Sequence, residues 1–521
     1  MKRRNFLKYG LSAISLPVLI QGQALGLIPD NAVLKALTSG NKTRKLILIH
    51  LKGGNDGLNM FTPLDQYINL RKARPNIIIP QEELIRLTDV LGMHPAMNSF
   101  KRLYDLKQAL IIQNVSYPSP SLSHFQSQTI VNNASSTELN WNSGWLGRYF
   151  QNASPDFPTD FPNTEDAHPL AITIGTQDSP ISQGDTANYS ISMTDASNNF
   201  QQTIQQTQVE EDSPYNHELR FITDAMRVAD AYLDPIQEAA SKGENQSPLY
   251  PEDPKNQLAK QLALVARLID GGLETPIYVL SLDGFDTHTN QVASESATTQ
   301  GHHASLLRYL ADGILAFQDD LNRMGLEENV IGMVYSEFGR RIASNENLGT
   351  DHGTAYPAIL FGQPINPTVL GHNPTIPEEV NPFMNLDMQF DFRSIYASIF
   401  QQWFQLPEAT TQQIMGDEFP ILPILKTAEG STFFYENPVK VTAYPIPTAD
   451  YLNLKIETKN PQLRISLFNP MGQFVKTLFN QEVEGNLLEL QFSVKGLPAG
   501  HYILRVQSGD DLVSKKLIIT D

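Results

Sequence analysis

The chain has 521 residues, 41% of them hydrophobic, with 38 lysines and arginines against 56 aspartates and glutamates, a net charge of −18, and no cysteine. That length predicts two or three domains with a large core, and the acidic balance argues against nucleic acid as a partner, since phosphate binding needs clustered basic side chains. Without cysteine there are no disulfides, zinc–thiolate sites or thiol nucleophiles, so any metal must rest on His, Asp, Glu, Asn, hydroxyl or water ligands.

Residues 1–26 read as a targeting segment. A basic start (Lys2, Arg3, Arg4, Lys8) precedes an apolar run from Tyr9 to Ile20, and small residues suited to cleavage end it. Arg3-Arg4-Asn5-Phe6-Leu7-Lys8 resembles a twin-arginine export signal. The resemblance implies export of an already folded chain, with any cofactor in place. No internal stretch is long and apolar enough to span a membrane, so no transmembrane anchor is expected in the mature chain.

Leu46 to Leu51 is a continuous apolar run cut off by Gly53-Gly54-Asn55-Asp56-Gly57, the pattern of a buried parallel strand ending in a polar turn. Asp65–Leu91 reads as a loop-rich connection, His94–Leu106 as a helix and Gln108–Val115 as a second buried strand. Ser116–Ser123 is a proline-held loop, with Ser121 or Ser123 placed to cap a helix starting near Phe125. A serine at such a turn is either a cap or a nucleophile. Thr137–Ala167 reads as a polar, proline-rich stretch with an aromatic patch at Trp141, Trp145 and Tyr149. Ala171–Gly175 reads as a short strand, and the polar residues from 178 to about 254 as a surface insertion or lid. Within that insertion a helix capped by Ser213 runs to about Asp234, and residues 241–254 form an exposed loop; a second helix covers Lys255–Leu268.

Pro276–Leu282 is another buried strand, ending in Asp283-Gly284-Phe285-Asp286-Thr287-His288. A helix over Gln300–Met324 leads to a strand over Asn329–Tyr335, ending in Ser336-Glu337-Phe338-Gly339-Arg340-Arg341. Asp351-His352 follow shortly after, then a short strand over Ala358–Phe361 and a helix over Asp391–Phe404. Beyond residue 430, period-2 runs separated by Gly and Pro turns predict a small antiparallel β-sandwich over 432–521.

In a mostly parallel sheet flanked by helices these strand ends converge on one edge. They carry Asp56, Ser123 with His124, Asp286 with His288, and Glu337, with Asp351 and His352 just beyond. Such a set points to a divalent cation that activates a hydroxyl or water and neutralises charge on a phosphoryl or sulfuryl group. Arg340, Arg341 or Lys52 is placed to clamp anionic oxygens.

His-Leu-Lys-Gly-Gly-Asn-Asp-Gly-Leu-Asn from His50, Ser-His-Phe-Gln-Ser-Gln from Ser123, Gly-Trp-Leu-Gly-Arg-Tyr-Phe from Gly144, Gly-Phe-Asp-Thr-His from Gly284, Ser-Glu-Phe-Gly-Arg-Arg from Ser336 and Gly-Thr-Asp-His-Gly-Thr-Ala from Gly349 occur in this order. Across residues 45–425 they resemble a secreted bacterial family known as domain of unknown function 1501, which is similar in fold to the alkaline phosphatase and sulfatase superfamily. The resemblance implies a metal-dependent hydrolase core. By position it makes Asp56, Asp286, His288, Glu337, Asp351 and His352 metal ligands and Ser123, with Ser121 as the alternative, the nucleophile. Phe338 stands where the superfamily carries a histidine, and Asp286 and His288 are spaced more closely than its usual pair. The tail, through Tyr444-Pro-Ile-Pro-Thr-Ala-Asp-Tyr-Leu452 and Leu497-Pro-Ala-Gly-His-Tyr502, resembles the sorting domain of the type IX secretion system.

The expectation is therefore a secreted or cell-surface hydrolase of phosphate or sulfate esters, exported through the periplasm by the twin-arginine and type IX machineries. Its substrate is an anionic ester, on a glycan or other polymer. Ser123, His124 and Arg340 carry the chemistry, and zinc, or else manganese, magnesium or calcium, is the cofactor. The alternative is a non-catalytic surface protein that uses the same fold to bind a ligand or a metal.

Overall fold

The computed structural model describes residues 43–138, 141–175, 179–185, 187–194, 223–224 and 226–426, and in the tail 439–458, 461–469, 474–483, 487–508 and 511–520, together with 19–20 and 23–24. The expected targeting segment falls outside these residues apart from those last two pairs, as does the stretch 195–222 of the expected insertion. The chain divides into two compact units, Met1–Ser431 and Thr432–Asp521.

Apolar runs make the centre of the first unit. They form β1 (Lys45–Lys52), β2 (Ala109–Ser116), β3 (Ala171–Ile174), β4 (Ser190–Met193), β5 (Ile277–Asp283), β6 (Val330–Ser336) and β7 (Tyr356–Phe361), with two-residue strands β8 (Val369–Leu370) and β9 (Phe390–Asp391). The order in space is β8-β2-β7-β6-β1-β5-β3-β4, with β9 also paired to β2. All pairings are parallel except those of β7, which runs against β6 and β2. The fold is thus α/β with a mainly parallel sheet. Its central strands are continuous hydrophobic runs because both faces are covered.

Alternate residues of β1 feed two cores. Leu46 and Leu48 face one side with Trp145, Tyr396 and Phe400; Ile47 and Ile49 face the other with Leu262, Leu310 and Ile314. The first side is covered by α3 (Trp145–Ala153) and α7 (Phe392–Ser398), the second by α1 (Asn98–Asp105), α5 (Gln257–Asp270) and α6 (His302–Met324). Between α1 and α3 in the chain lies α2 (His124–Asn133), and α4 (Leu233–Lys242) packs on α5. Each large aliphatic side chain buried this completely stabilises the fold by about 1.5–3 kcal/mol.

Two sequence expectations change. Trp145 and Tyr149 of the aromatic patch lie on the buried face of α3, where Trp145 stacks on Tyr396 at 4.3 Å, while Trp141 precedes the helix and is half-buried. Part of the expected surface insertion is β4, the edge strand of the central sheet beside β3, whose Ser190 and Met193 are buried. Near Asp234, where the sequence predicts a helix end, α4 begins at Leu233 with Pro235 in its first turn, where no intrahelical N–H is needed; the predicted cap at Ser213 lies outside the described residues.

The topology positions the candidate site. The carboxyl ends of β1, β2, β5 and β6 share one edge, and β7, running oppositely, starts from that edge, so residues 351–354 arrive there too.

The second unit is an antiparallel β-sandwich of β10 (Val439–Tyr444), β11 (Tyr451–Thr458), β12 (Gln462–Phe468), β13 (Phe474–Glu482), β14 (Leu487–Ser493), β15 (Gly500–Ser508) and β16 (Asp511–Ile519). Its sheets are β10-β11-β14 and β13-β12-β15-β16. Leu452, Leu454 and Ile456 of one sheet share a core with Ile465, Leu467, Leu504 and Val506 of the other.

Candidate functional site: a histidine cluster at the sheet edge

The loop after β5 alternates. Phe285 and Thr287 point inward and are buried, which turns Asp286 and His288 outward. Gly53 sits against this loop with φ of 120°, and a Cβ there would lie 2.2 Å from the Asp286 backbone nitrogen. Only glycine permits that approach.

Three histidines converge on the Asp286 carboxylate. Its Oδ1 lies 3.1 Å from His352 Nε2 and 3.2 Å from His288 Nε2, and its Oδ2 lies 3.5 Å from His124 Nε2. The Nε2 atoms of His288 and His352 are 2.9 Å apart. Ligand atoms of His124, Asp286 and His352 all fall within 4.8 Å of one another.

The far nitrogen of each ring faces a fixed oxygen. His124 Nδ1 is 2.9 Å from Glu337 Oε1, His288 Nδ1 is 2.9 Å from Asp351 Oδ1, and His352 Nδ1 is 2.8 Å from the Leu122 carbonyl. A carbonyl or ionised carboxylate only accepts, so each Nδ1 carries the proton and each neutral ring presents an Nε2 lone pair to the cluster. His124 Nε2 is buried without a hydrogen-bond partner. Lone pairs 2.9 Å apart and an orphaned imidazole nitrogen beside a carboxylate need a cation between them, either a proton or a metal. Imidazole Nε2 donors whose Nδ1–H groups are tied to carboxylates or carbonyls fit a divalent metal.

The charges agree with this. Burial pushes the Asp286 carboxyl up, but the hydrogen bond from Arg340, with the adjoining His352 ring, outweighs it and holds it at about 2. Burial likewise opposes ionisation of Glu337, yet its hydrogen bonds with His124 and His50 keep it far below the usual carboxylate range. The hydrogen bond to Glu337 raises His124, while burial lowers His352.

Of the expected ligands, Asp286, His288 and His352 lie in the cluster, and His124, expected to move protons, lies there with them. Glu337 and Asp351 stand one layer behind. Glu337 is 1% exposed, and its Oε1 accepts from His124, from Gln128 Nε2 at 3.1 Å and from the Gly53 N–H at 2.9 Å. Its Oε2 meets His50 Nε2 at 3.2 Å. Its surroundings make it an orienting acceptor with no oxygen left for the cluster.

Asp56 is not brought to the cluster. It is fully buried, and both its oxygens bond Arg74 Nη1, at 2.8 and 2.7 Å, with Gln291 Nε2 at 2.6 Å. Burial alone would raise its carboxyl, but Arg74, His303 and Gln291 lower it. Arg340 departs from the expected clamp on substrate oxygens. Its guanidinium is buried and donates to the carbonyls of Gly53, Gly54, Phe285 and Thr350 and to Asp286 Oδ1, pinning three loops together. Arg341 donates to the His352 carbonyl, and Lys52 pairs with Asp283 at 3.6 Å.

Ser123 is exposed at the N-cap of α2, and its side chain makes no cap hydrogen bond. Phe338 packs its ring 4.9 Å from His124 and 4.6 Å from His352, one wall of the cluster. Sequence reasoning missed His50, Gln128 and Arg74. A histidine inside the apolar run of β1 was the available signal for the first; the other two have none.

A family model described as "Protein of unknown function (DUF1501)" matches residues 90–415, and one described as "Secretion system C-terminal sorting domain" matches residues 442–520. That sorting domain is the address for type IX secretion, so the chain is a secreted or cell-surface protein. Among the described residues no helix is long and apolar enough to cross a membrane. No curated protein matches the chain. Solved structures that align with it include a protein in the alkaline phosphatase superfamily from Vibrio parahaemolyticus (8% identity, 95% of this chain and 92% of that one, TM-score 0.31). A Bacteroides thetaiotaomicron protein described under metabolism of multiple glycosaminoglycans aligns at 9% identity over 84% and 89% of the two chains, with a TM-score of 0.34. A Pseudoalteromonas sulfatase aligns at 11% identity over 90% and 88%, with a TM-score of 0.29. Overlaps this loose carry no inference to activity. The match over residues 90–415 spans more than half of the chain, which therefore belongs to the family of proteins of unknown function designated DUF1501.

Proposed function

We propose that the chain is a secreted metal-dependent hydrolase of phosphate or sulfate esters, working at the histidine cluster. The observation that carries this reading is the convergence of three Nε2 atoms on Asp286, each ring locked by an oxygen acceptor on its other nitrogen. His124, His288, His352 and Asp286 would hold the ion, and imidazole donors favour zinc over magnesium or calcium. A bound divalent ion lowers the pKa of an adjacent hydroxyl or water and offsets charge on the transferring group.

The chain's own residues do the rest. Glu337, Asp351 and the Leu122 carbonyl keep the lone pairs aimed inward. Arg340 holds the loops after β1 and β5 at fixed spacing. Ser123, one residue ahead of His124, supplies the hydroxyl. Its Oγ would bond to phosphorus or sulfur as the bond to the leaving oxygen breaks, and the alcohol departs with a proton. Water then releases phosphate or sulfate and restores the serine.

One observation favours a second reading, a non-catalytic metal-binding surface protein. The guanidinium expected to hold ester oxygens is fully engaged with carbonyls of its own chain and with Asp286.

Metal analysis of the full chain, folded and purified without chelator, tests both. About one zinc per chain, lost in Asp286→Ala with His352→Ala, supports the site. Turnover of aryl phosphates or sulfates then selects the hydrolase, and metal without turnover selects the binding protein. No retained metal after soaking with zinc, manganese, magnesium and calcium overturns both.

A further inference from the structure

A cleft of about 970 Å³ opens beside the ends of β1 and β5. Four cations line it, Lys52, Lys255, Lys260 and Arg267, against the single carboxylate of Asp283. In a chain of net charge −18 that local excess is a reversal of sign. Lys52 is partly neutralised by Asp283 at 3.6 Å. The other three belong to α5 or the turn before it, and α5 presents Lys260, Gln261, Leu264 and Arg267 to the cleft at the three- and four-residue spacing of one helix face.

A second observation is independent of charge. Arg267 Nε and Gln261 Oε1 are buried without hydrogen-bond partners. One is a donor and the other an acceptor, and leaving such atoms unpaired in a folded protein is costly. Both residues line the cleft, so a turn of either side chain would bring its unpaired atom to an anionic or hydroxyl group of a ligand there. The cleft also adjoins the histidine cluster: His50 and Gln128 line it, and both bond Glu337, the acceptor for His124 Nδ1.

We propose that this cleft binds an extended anionic polysaccharide, with its charged groups on Lys255, Lys260 and Arg267 and its hydroxyls on the amide and hydroxyl side chains of the walls. Nucleic acid fits less well. Single strands bind through bases stacked on aromatic rings. The two tyrosines of the cleft are already covered, Tyr335 by His50 at 4.8 Å and Tyr309 by the Arg308 guanidinium at 4.9 Å. Binding in the cleft stands without the hydrolase reading. If that reading holds, the cleft sets the substrate class, an ester on a polymer whose further charges lie outside the cluster.

The test uses the full chain and a fluorescent dextran sulfate oligosaccharide. Competitors are neutral dextran of the same length and an oligothymidylate of matched charge. The expected result is binding that weakens as sodium chloride rises and that neutral dextran does not compete away. Lys255→Glu with Lys260→Glu, both exposed, weakens binding at least about tenfold, and Arg267→Gln weakens it in the same direction. Asp286→Ala with His352→Ala leaves it unchanged, which separates the cleft from the metal site. Unchanged binding in the Lys255→Glu, Lys260→Glu chain, with its thermal unfolding intact, overturns the proposal. Competition by oligothymidylate as strong as by dextran sulfate overturns the assignment to a polysaccharide.

Discussion

Asp56 and Asp286 follow two neighbouring parallel strands, each beside glycine and each bonded to an arginine, yet they belong to different kinds of structure. Around Asp56 every oxygen has a donor, and both it and Arg74 are fully buried. Around Asp286 the side chain is 50% exposed, two Nε2 atoms face each other at 2.9 Å, and His124 Nε2 has no partner. A saturated group has nothing left to offer a ligand, so the first region is framework. The second keeps unspent lone pairs in a rigid arrangement, which is what a binding site requires.

If this division is right, substitutions in the two regions fail in different measurements. Arg74→Ala strands a buried carboxylate and removes donors to the carbonyls of Arg341 and Ile342. Breaking a buried pair from one side costs about 3–5 kcal/mol. Urea unfolding of the first unit should show that loss, while metal content per folded chain stays as in wild type. Metal lost in parallel with stability would merge the two regions into one.

Acid should act on the framework next. Burial drives His303 down to about 4 and His94 to about 3. Both rings are therefore neutral when folded but take up protons near pH 6.5 when unfolded. The unfolded chain binds more protons between those values, so this stability is fully present above pH 6.5 and is lost as pH falls toward 4. Each ring accounts for about 2–3 kcal/mol across that window. Unfolding measured with chelator from pH 7 to 4 should show the fall, and His303→Gln should flatten it. An unchanged slope in that variant would assign the effect elsewhere.

Glu337→Gln probes the boundary between the regions, since Glu337 is buried like framework but bonded to a cluster ring. Losing the carboxylate that orients a metal-binding histidine weakens metal affinity by about 10–100-fold. Zinc titration against a competing chelator reads this directly. Unaltered affinity would remove Glu337, and with it His124, from the site.

The difference between the two aspartates was not legible in the sequence. Each ends an apolar run and sits near glycine, and the runs themselves announced β1, β5 and β6. What separates them is Arg74, which lies 18 residues beyond Asp56 after a short helix and has no local pattern to mark its partner. The same limit hid the partners of Arg340, whose acceptors come from loops after β1 and β5 and from Thr350. α3 was obscured for another reason: its apolar residues, Trp145, Leu146, Tyr149 and Phe150, do follow helical spacing, but prolines and polar residues surround them. The histidine cluster could be listed from strand ends. Which members touch and which stand behind depends on side-chain direction, which spacing does not contain.

Ser123→Ala should have the smallest effect on stability and the sharpest on the proposed reaction. An N-cap serine usually stabilises its helix by about 1 kcal/mol through a bond to a free backbone N–H. Ser123 makes no such bond and is exposed, so removing its hydroxyl should change unfolding by no more than about 0.5 kcal/mol. On the proposed reading zinc content should stay as in wild type, because it assigns the ligand atoms to His124, His288, His352 and Asp286. On the hydrolase reading, turnover of aryl esters nevertheless disappears. A variant that keeps its stability, its metal and its turnover would show that water attacks directly and that the serine is only the residue before the histidine. A variant that loses stability instead would show that the hydroxyl caps α2, returning Ser123 to the framework side of the comparison.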